Sequence, residues 1–417
     1  MLSASKIEDR ILKGTKLEGF VTPSYKGFGL ANTMPTISHL LGAKIKNQVI
    51  FSEDVFDYDA FKGINHIVFI LLDGLGYTEL KSEMKKNDLN MKSLKEDIVP
   101  ITSICPSATT SAVTSLATGV TPQEHGIMGY KIYLKEFGLI ASTLTLSPIL
   151  GYVDFMGLGI DPSAFLGIDT IYDHMKNNNI DTEVFLNRNY ANTALSQMIY
   201  RDTKITPFED YSKAFGQIAD KVKKKSRKMK FTYLYWDLID SATHQYGTGS
   251  PEISELIKAV DRSLFEDFLD KVRNPGTLVI ISADHGFVNV DHEKTFYFHD
   301  HDELTENLIV PPSGEDRFVY LFVKNGKLDE IKDYIKNNVK NTIAIESEKA
   351  IKLGLFGHNE PRIETIGRIG DLILIPKKDN IFTYAYSIED ILFRVKGYHG
   401  GLSRNEMLVP LICKRLE

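Results

Sequence analysis

An aspartate follows the end of an apolar run at three points of the sequence. Each run is almost wholly apolar, which is typical of strands in a parallel sheet that is covered on both faces. The runs and their aspartates are HIVFILL (66–72) with Asp73, FTYLYW (231–236) with Asp240, and TLVIIS (277–282) with Asp284. Because ligands gather at the carboxyl ends of strands in open α/β sheets, we expect these carboxylates to lie close together.

Histidines accompany these aspartates. His244 follows Asp240 by four residues, so a helix there would point both side chains the same way. His285 is adjacent to Asp284, and His399 stands in GYHGG, where glycines let the backbone approach a crowded site. Carboxylates and imidazoles without thiolates suit Zn²⁺, and also Mn²⁺ or Fe²⁺. Three aspartates and three histidines divide into two sites, and two ions about 3.5–4 Å apart could clamp both oxygens of a phosphoryl displacement.

Asp237 competes with Asp240 for a place among these ligands, because it also lies at the end of the run 231–236. The four-residue spacing to His244 favours Asp240. We therefore interpret Asp237 as a residue that supports the ligands or shapes the turn.

The segment CPSATTSAVTSLATGV (105–120) offers a nucleophile. It predicts a turn containing proline, followed by a helix of small residues that ends before Gly119. Thr109 would lie in the first helical turn, where free N–H groups and the helix dipole favour an anion. A metal there would lower the pKa of its hydroxyl. By themselves these residues also fit a simpler interpretation, in which Ser107, Thr109 and Thr110 only cap the helix.

The composition is typical of a soluble globular protein, since 43% of the 417 residues are hydrophobic and 25% are charged. A net charge of −6 provides no basic field for a nucleic-acid polymer, so we expect a small substrate that is attracted locally. The two cysteines, Cys105 and Cys413, exclude a disulfide framework and favour a reducing compartment. Without a signal-peptide pattern or a run of about twenty apolar residues, we expect a cytoplasmic protein that does not span a membrane.

Apolar runs alternate with helical patterns, which predicts an α/β fold with a mostly parallel sheet covered by helices on both faces. Further strands are predicted at 98–104, 182–186, 318–323 and 371–376, and helices at 36–42, 109–118, 208–225, 251–272 and 327–338. Residues 287–398 begin with loop-like sequence and then show strand and helix patterns of their own. We predict that 287–398 form an inserted α+β cap, and that 1–286 and 399–417 form the core.

Together these segments resemble the alkaline phosphatase superfamily, and most closely its type I phosphodiesterase/nucleotide pyrophosphatase family. The matching pieces, in the order of that family, are VFILLDGLGY, ICPSATTSAVTSLATGVTPQEHGIMGY, DLIDSATHQYG, SADHGF and GYHGG. The resemblance extends from about residue 66 to 401 and is specific as an ordered set. It implies an alkaline phosphatase-like three-layer α/β/α sandwich that binds two divalent metal ions, with zinc favoured.

The resemblance also implies roles for individual residues. Asp73, Asp284 and His285 would hold the ion that activates the nucleophile, and Asp240, His244 and His399 would hold the second ion. Counting back from the Thr-Gly of the family, here Thr118–Gly119, places the nucleophile at Thr109 rather than at Thr110. The implied reaction cleaves phosphodiester or nucleotide pyrophosphate-type bonds through a covalent phospho-threonine, which metal-bound water hydrolyses. We interpret His125, in the HG element of the family, as structural.

One position departs from the family pattern. Phosphodiesterases of this family usually carry an asparagine just after the HGI element, where it contacts a phosphate oxygen. Here the segment is HGIMGY, and Tyr130 lies near that position. A tyrosine hydroxyl could donate the same hydrogen bond, so we predict that Tyr130 binds substrate.

Other functions of the superfamily fit the sequence less well. A phosphomonoesterase would use an arginine near the nucleophile, and Arg317 of the cap is the candidate that could reach in. Sulfatases need an oxidised Cys or Ser in a motif with arginine, which is absent here, and the related mutases usually carry a larger insertion. A catalytically inactive scaffold should lack ligands or nucleophile. Specificity would come from the cap, where Tyr297, Phe298, His299 and His301 are candidate wall residues that equally fit ordinary packing.

Overall fold

The strands of this protein form two seven-stranded sheets and two short ladders, among the residues that the computed structural model describes (1–416 apart from 46, 152–154, 225, 388–389 and 391–393). In chain order the strands are β1 (His66–Leu72), β2 (Ile98–Thr102), β3 (Lys131–Leu134), β4 (Leu139–Ser142), β5 (Ser147–Pro148), β6 (Asp181–Asn187), β7 (Lys204–Phe208), β8 (Lys230–Trp236), β9 (Thr277–Ser282), β10 (Val288–Asn289), β11 (Phe296–Tyr297), β12 (Ser313–Glu315), β13 (Phe318–Leu321), β14 (Thr342–Glu346), β15 (Leu372–Pro376), β16 (Phe382–Thr383), β17 (Gly397–Tyr398) and β18 (Leu408–Arg415).

The central sheet has the strand order β2–β18–β9–β1–β8–β6–β7. β18 is antiparallel to both of its neighbours, and the other pairs are parallel. In register, Leu72 pairs with Trp236, and Leu71 pairs with Ser282. The chain therefore leaves β1, β8 and β9 at the same edge of the sheet, which brings together the segments that carry the predicted ligands.

Helices connect these strands and pack around the sheet, so the predicted three-layer α/β/α fold is confirmed. They are α1 (Ala4–Lys13), α2 (Thr33–Leu40), α3 (Tyr77–Lys86), α4 (Thr109–Thr118), α5 (Pro122–His125), α6 (Pro162–Leu166), α7 (Ile171–Asn177), α8 (Ala194–Tyr200), α9 (Tyr211–Lys223), α10 (Leu238–Tyr246), α11 (Pro251–Ser263), α12 (Asp302–Thr305), α13 (Leu328–Asn338), α14 (Ser347–Lys352), α15 (Ile363–Arg368) and α16 (Arg404–Met407). Among the residues described, no helix is both long and apolar enough to cross a bilayer.

Each apolar run that predicted a strand contains one. The helix predicted at 109–118 has the expected bounds, whereas the one predicted at 251–272 ends as an α-helix at Ser263 and continues as a short π-helical turn. Strand β18 was not predicted. Its Pro410 lies opposite Pro100 of β2, and a proline argues against a strand inside a sheet because it cannot donate a ladder hydrogen bond.

The second sheet has the order β14–β15–β13–β12–β3–β4–β5. Four of its strands come from 287–398, and the other three come from 131–148, outside that range. At the two ends of the range, Val288 of β10 pairs with Tyr398 of β17. The division of the chain into a core and a cap at 287–398 stays a prediction, and the sheet itself is shared between both parts.

Candidate active site

Two predicted ligands are buried and follow strands of the central sheet in the sequence. Asp73 follows β1 and Asp284 lies two residues beyond β9, at 2% and 0% exposure. Asp240 reaches them from the first turn of α10. Gly74 makes this approach possible, because its φ is +79° and a Cβ there would lie 3.0 Å from Cα of Asp240. The Asp-Gly pair thus both turns the chain and leaves space for the third carboxylate.

His285 lies among these three carboxylates. Its Nε2 atom is 3.5 Å from Oδ1 of Asp73 and 3.5 Å from Oδ2 of Asp284. Oδ1 of Asp240 lies 3.9 Å from the same nitrogen. The candidate ligand atoms of Asp73, Asp240 and His285 all lie within 4.8 Å of one another. This arrangement is a candidate metal site.

Asp240, His244 and His399 form a second candidate metal site. The Nε2 atoms of His244 and His399 each lie 3.7 Å from Oδ1 of Asp240, and all three ligand atoms lie within 4.8 Å of one another. The rings of His399 and His285 stack with their centroids 3.8 Å apart. Asp240 therefore faces both groups, and the tertiary structure brings all six predicted ligands to one place.

Backbone carbonyls orient the three imidazoles. In each ring Nδ1 lies within hydrogen-bond distance of a carbonyl oxygen, at 2.9 Å from Gly397 for His244, 3.1 Å from Ser107 for His399 and 3.3 Å from Gly286 for His285. An Nδ1–H that donates to a carbonyl fixes the tautomer in which Nε2 carries the free lone pair. All three Nε2 atoms therefore present a lone pair to the carboxylates.

One oxygen of each aspartate has no hydrogen-bond partner among the described residues, namely Oδ1 of Asp73, Oδ1 of Asp240 and Oδ2 of Asp284. These are the same oxygens that surround the histidine nitrogens. In two of these aspartates the other oxygen is hydrogen-bonded, since Oδ2 of Asp73 accepts from the Tyr235 hydroxyl and Oδ1 of Asp284 accepts from the backbone of Gly74 and His285. Buried unpaired carboxylate oxygens are costly unless a cation compensates them. The residues present therefore fit divalent ions.

The pKa shifts of the candidate ligands also favour the binding of cations. Burial raises the pKa of Asp73 and Asp240, and the negative charge of Asp284 raises both pKa values further. Burial lowers the pKa of His285, lowers that of His244 to about 4, and lowers that of His399 well below its usual range. Neutral imidazoles are the form that binds metals, and clustered carboxylates without a positive charge are stabilised when a cation binds.

Thr109 is the first residue of α4, and its Oγ1 lies 3.0 Å from Nε2 of His285. The preceding turn is attached to the loop that carries His399, because the backbone N–H of Ser107 donates to the carbonyl of Gly400 at 3.3 Å. The free N–H groups of the first helical turn lie beside this hydroxyl, where they favour a negatively charged ligand. The hydroxyl thus contacts the candidate metal site that contains His285 and stands at the start of a helix.

A cavity of about 460 Å³ opens over Thr109 and the ligands. On the side of the second sheet its walls include Tyr130, Lys131, Glu315, Asp316, Tyr384 and Tyr398. Tyr130 is 38% exposed, and its backbone N–H donates to the Glu315 carboxylate. Burial raises the pKa of Glu315 to about 8 and that of Asp316 to about 6. The cavity therefore joins the candidate metal sites to a polar wall from the second sheet.

Several residues considered in the sequence lie away from the cavity. Among the residues described, Tyr297, Phe298, His299 and His301 do not line it. Phe298 packs in a separate apolar cluster, and His301 stacks on Phe296 and contacts the Tyr334 hydroxyl at 2.7 Å. Phe298 thus packs in a cluster with Val319 and Leu321 of the second sheet.

Arg317 does not reach into the cavity either. It is fully buried and forms a bidentate ion pair with Glu406, with Nε 2.6 Å from Oε1 and Nη2 3.0 Å from Oε2. Oε1 of Glu406 also accepts a hydrogen bond from the backbone N–H of Gly401, two residues beyond His399. The arginine therefore joins the second sheet to the loop that carries His399, and it is not free to bind a phosphoryl group.

Asp237 lies outside both groups of candidate ligands. Its carboxylate accepts a hydrogen bond from the Tyr211 hydroxyl.

His125 is buried in a small hydrogen-bond network. Its Nδ1 accepts from the backbone N–H of Ile127 at 3.1 Å, so Nε2–H donates to Oγ of Ser115, at 2.8 Å. These bonds join α4 to the turn after α5, which agrees with the structural role predicted for this histidine.

Tyr235 is the contact to Asp73 that sequence reasoning missed. It stands in the run FTYLYW, where an aromatic residue predicts only a buried strand. Its position beside Asp73 depends on the pairing of β8 with β1, which the run does not reveal. If the pairing of β8 with β1 had been known, Tyr235, the second-to-last residue of β8, would have been the candidate partner of Asp73.

The fold and the paired ligand groups define the protein as an alkaline phosphatase-like hydrolase. The chain belongs to the type I phosphodiesterase / nucleotide pyrophosphatase family, whose model matches residues 67–402. That family, together with the fold, establishes a phosphoester hydrolase.

Solved structures with the same fold share little sequence with this chain. An inactive variant of murine ectonucleotide pyrophosphatase / phosphodiesterase 5 in complex with AMP is 14% identical, with a TM-score of 0.60 over 83% of this chain and 87% of that one. Phosphonoacetate hydrolase from Sinorhizobium meliloti 1021, in complex with phosphonoformate, is 20% identical, with a TM-score of 0.61 over 84% and 89%. The chain matches no curated protein sequence.

Proposed function

We propose that this protein is a two-metal phosphodiesterase that cleaves phosphodiester or nucleotide pyrophosphate-type bonds through a phospho-threonine at Thr109. The observation that carries the proposal is the position of the Thr109 hydroxyl, 3.0 Å from Nε2 of His285. The same nitrogen lies within 3.9 Å of three carboxylate oxygens that have no hydrogen-bond partner among the described residues. A role as a helix cap alone does not account for a hydroxyl that contacts the centre of this ligand group.

The six ligands would hold two divalent ions. Asp73, Asp284 and His285 would hold the ion next to Thr109, and Asp240, His244 and His399 would hold the other. Zinc suits this set of oxygen and imidazole ligands, as do manganese and iron. Bound there, the ions would lower the pKa of the Thr109 hydroxyl and neutralise charge on the phosphoryl oxygens.

In the proposed reaction, Oγ1 of Thr109 attacks phosphorus, the bond to the first alcohol or phosphate breaks, and phospho-threonine forms. Water then attacks phosphorus from the vacated side, the bond to Oγ1 breaks, and the second product leaves. The N–H groups at the start of α4 would hold a non-bridging oxygen, because they have no partner within the helix. Tyr130, which lines the cavity, would donate a hydrogen bond to the substrate.

A phosphomonoesterase of the same superfamily is the alternative function, and it has less support. The monoesterase would need a cation for the extra phosphate charge, and Arg317 is engaged with Glu406. A catalytically inactive scaffold is the second alternative, and it does not explain why nucleophile and ligands converge.

Hydrolysis of bis(4-nitrophenyl) phosphate and 4-nitrophenyl phosphate, each with zinc, manganese or magnesium, tests the proposal. We expect the diester to be cleaved faster than the monoester, and only when a divalent ion is present. Faster cleavage of the monoester would support the alternative function. No cleavage of either compound with any of the three ions would contradict the hydrolase reaction itself.

A further inference from the structure

A buried ion pair connects the second sheet to the loop that carries His399. Arg317 lies between β12 and β13, Glu406 lies in α16, and both residues are 0% exposed. Two hydrogen bonds join their side chains, from Nε to Oε1 at 2.6 Å and from Nη2 to Oε2 at 3.0 Å. Nη1 of the arginine also donates to the carbonyl of Asn380 at 2.6 Å. Bidentate geometry of this kind holds both side chains in one orientation.

The glutamate carboxylate also holds the backbone of that loop. Its Oε1 accepts from the N–H of Gly401 at 2.8 Å, and its Oε2 accepts from the N–H of Ser403 at 3.1 Å. Four N–H groups thus donate to one buried carboxylate, two from the arginine and two from the loop. A Cβ on Gly401 would lie 2.8 Å from Oε1, so the loop backbone lies directly against the carboxylate. The carboxylate therefore fixes the chain shortly beyond His399.

The same loop places His399 and the turn before Thr109. Nδ1 of His399 lies 3.1 Å from the carbonyl oxygen of Ser107. Ser107 is held by the loop in turn, since its N–H donates to the carbonyl of Gly400 at 3.3 Å and its hydroxyl donates to the carbonyl of Gly401 at 2.7 Å. Gly401 is therefore bonded both to the buried carboxylate and to the residue that orients the imidazole. A displacement of Gly401 would move the imidazole of His399.

The ligands of the ion next to Thr109 are held differently. Asp73 accepts a hydrogen bond from the Tyr235 hydroxyl. The residue after His285 is Gly286, whose N–H donates to the main-chain carbonyl of α16 at 2.9 Å. That bond comes from the backbone of residue 406, so it does not depend on the side chain there. A change of the carboxylate should therefore affect the second ion more than the ion next to Thr109.

We propose that the Arg317–Glu406 ion pair positions His399 for binding of the second ion. This proposal rests on the proposed function, in which Asp240, His244 and His399 hold that ion. The carrying observation is the continuous path of hydrogen bonds from the ion pair to the imidazole, through the loop backbone and the turn before α4. Both members of the pair are positioning residues, because they act only through the residues that they hold.

Zinc binding by the metal-free protein tests the proposal, because the two ions should respond differently. The double variant Arg317→Met/Glu406→Met replaces the pair by apolar side chains, an exchange that often leaves stability unchanged or raises it. Zinc content would be measured over a range of buffered free zinc concentrations. In the double variant we expect the second ion to bind about ten- to a hundredfold more weakly, and the first ion to bind as in the wild type. Equal weakening of both ions, or no change in either, would overturn the proposal.

A reference variant and a control accompany the double variant. His399→Ala removes a ligand of the second ion directly, so its zinc isotherm should resemble that of the double variant. Glu136→Gln is the matched control, because Glu136 pairs with Arg368, an arginine that also donates to the carbonyl of Gly126. This control should bind zinc as the wild type does. A weakened second ion in Glu136→Gln would attribute the effect to general instability and contradict the positioning role.

Two single variants separate the hydrogen bonds of the loop from the charge of the pair. Arg317→Lys keeps a cation beside the carboxylate and leaves both loop N–H groups paired, so it should retain most of the affinity for the second ion. Glu406→Gln offers one oxygen to four N–H groups, so it should lose affinity, and it serves as the test if the double variant does not fold. Wild-type zinc binding by Glu406→Gln would contradict the proposal.

The same protein preparations separate this proposal from the proposed function. Hydrolysis of bis(4-nitrophenyl) phosphate by the wild type, together with an unchanged zinc isotherm in the double variant, would reject the positioning role and leave the phosphodiesterase function standing. Selective weakening of the second ion without any hydrolysis by the wild type would reject the phosphodiesterase function and leave the positioning role standing.

Discussion

The hydroxyl of Thr109 lies 3.0 Å from Nε2 of His285, although the two residues are 176 positions apart in the sequence. Thr109 stands at the start of α4, and His285 follows the carboxyl end of β9 in the central sheet. A hydroxyl in contact with an imidazole nitrogen that lies among carboxylate oxygens can share one ion with them. This contact underlies the proposal that Thr109 is the nucleophile.

Thr109→Ala should remove at least about a thousandfold of the diesterase activity, because no other group would attack phosphorus. The variant should still bind metals, since both ligand groups remain. The measurements are hydrolysis of bis(4-nitrophenyl) phosphate and metal content of the purified protein. Thr114→Ala is the matched control on α4, because its Oγ1 donates only to the carbonyl of Thr110. Activity at the wild-type rate in Thr109→Ala would move the nucleophile elsewhere, with Thr110 the next to test.

Asp240→Asn should have opposite effects on stability with and without metal. Its Oδ1 has no hydrogen-bond partner among the described residues and faces three histidine nitrogens, and burial together with the charge of Asp284 raises its pKa. In metal-free protein the substitution removes a buried carboxyl group whose ionised form is disfavoured, so the melting temperature at pH 8 should rise. With zinc the wild type should be the more stable, because the substitution weakens a ligand of the second ion. Asp237→Asn is the control outside the ligand groups, and the same response in both variants would contradict the ligand role of Asp240.

Tyr235→Phe should weaken zinc binding by about ten- to a hundredfold, which is the usual effect of removing a group that orients a metal ligand. The Tyr235 hydroxyl donates to Oδ2 of Asp73 and leaves Oδ1 free to face His285. Competition with a chelator of known affinity measures the change. Tyr233→Phe is the control on the same strand, since its ring packs against Phe69 and Tyr200 instead. Unchanged zinc affinity in Tyr235→Phe would show that Asp73 is oriented without this hydrogen bond.

His66 should make the protein less stable in mild acid. It is buried at the start of β1, away from the ligand edge, with Nε2 2.9 Å from Oγ1 of Thr232. Burial, with the nearby charges of Lys230 and Lys221, lowers its pKa to about 4. The unfolded chain binds a proton near pH 6.5 and the folded protein only near pH 4, so stability falls as the pH decreases through that window. The loss is at most about 3.5 kcal/mol, because the two pKa values differ by about 2.5 units and each unit corresponds to about 1.4 kcal/mol.

His66→Gln removes the titrating group and tests that pH dependence. Urea unfolding at several pH values between 4 and 7 gives the free energy of unfolding of both proteins. The difference between wild type and variant should change across the window, while the contributions of the other histidines cancel. A constant difference between pH 4 and 7 would mean that His66 titrates normally in the folded protein.

The sequence pointed to candidate ligands because Asp73 and Asp284 lie just beyond strand patterns and because Asp240 and His244 have helical spacing. The aspartates after HIVFILL and TLVIIS follow strands with the predicted bounds, and α4 begins at the residue proposed as nucleophile. Strand-end position, helix start and the Asp240–His244 spacing are local properties. They depend on the order of a few neighbouring residues, and the sequence displays that order directly.

Partners across the fold were less predictable. The sequence did not indicate that Tyr235 meets Asp73, that Glu406 engages Arg317, or that 131–148 joins the second sheet. Each of these contacts depends on which strands pair and in which register. Many pairings are compatible with the same apolar runs, because the runs state only that a strand is buried.

By itself, the amino-acid sequence determined the α/β class and the order of the chemical groups, and it singled out six candidate ligands and a candidate nucleophile. Only the tertiary structure decided that one oxygen of each aspartate has no hydrogen-bond partner among the described residues, that carbonyls fix the histidine tautomers, and that a cavity opens beside Thr109. The physical reason is that residue type and spacing are encoded locally along the chain. The pairing of a buried polar atom and the shape of a cavity depend on every element that packs around them.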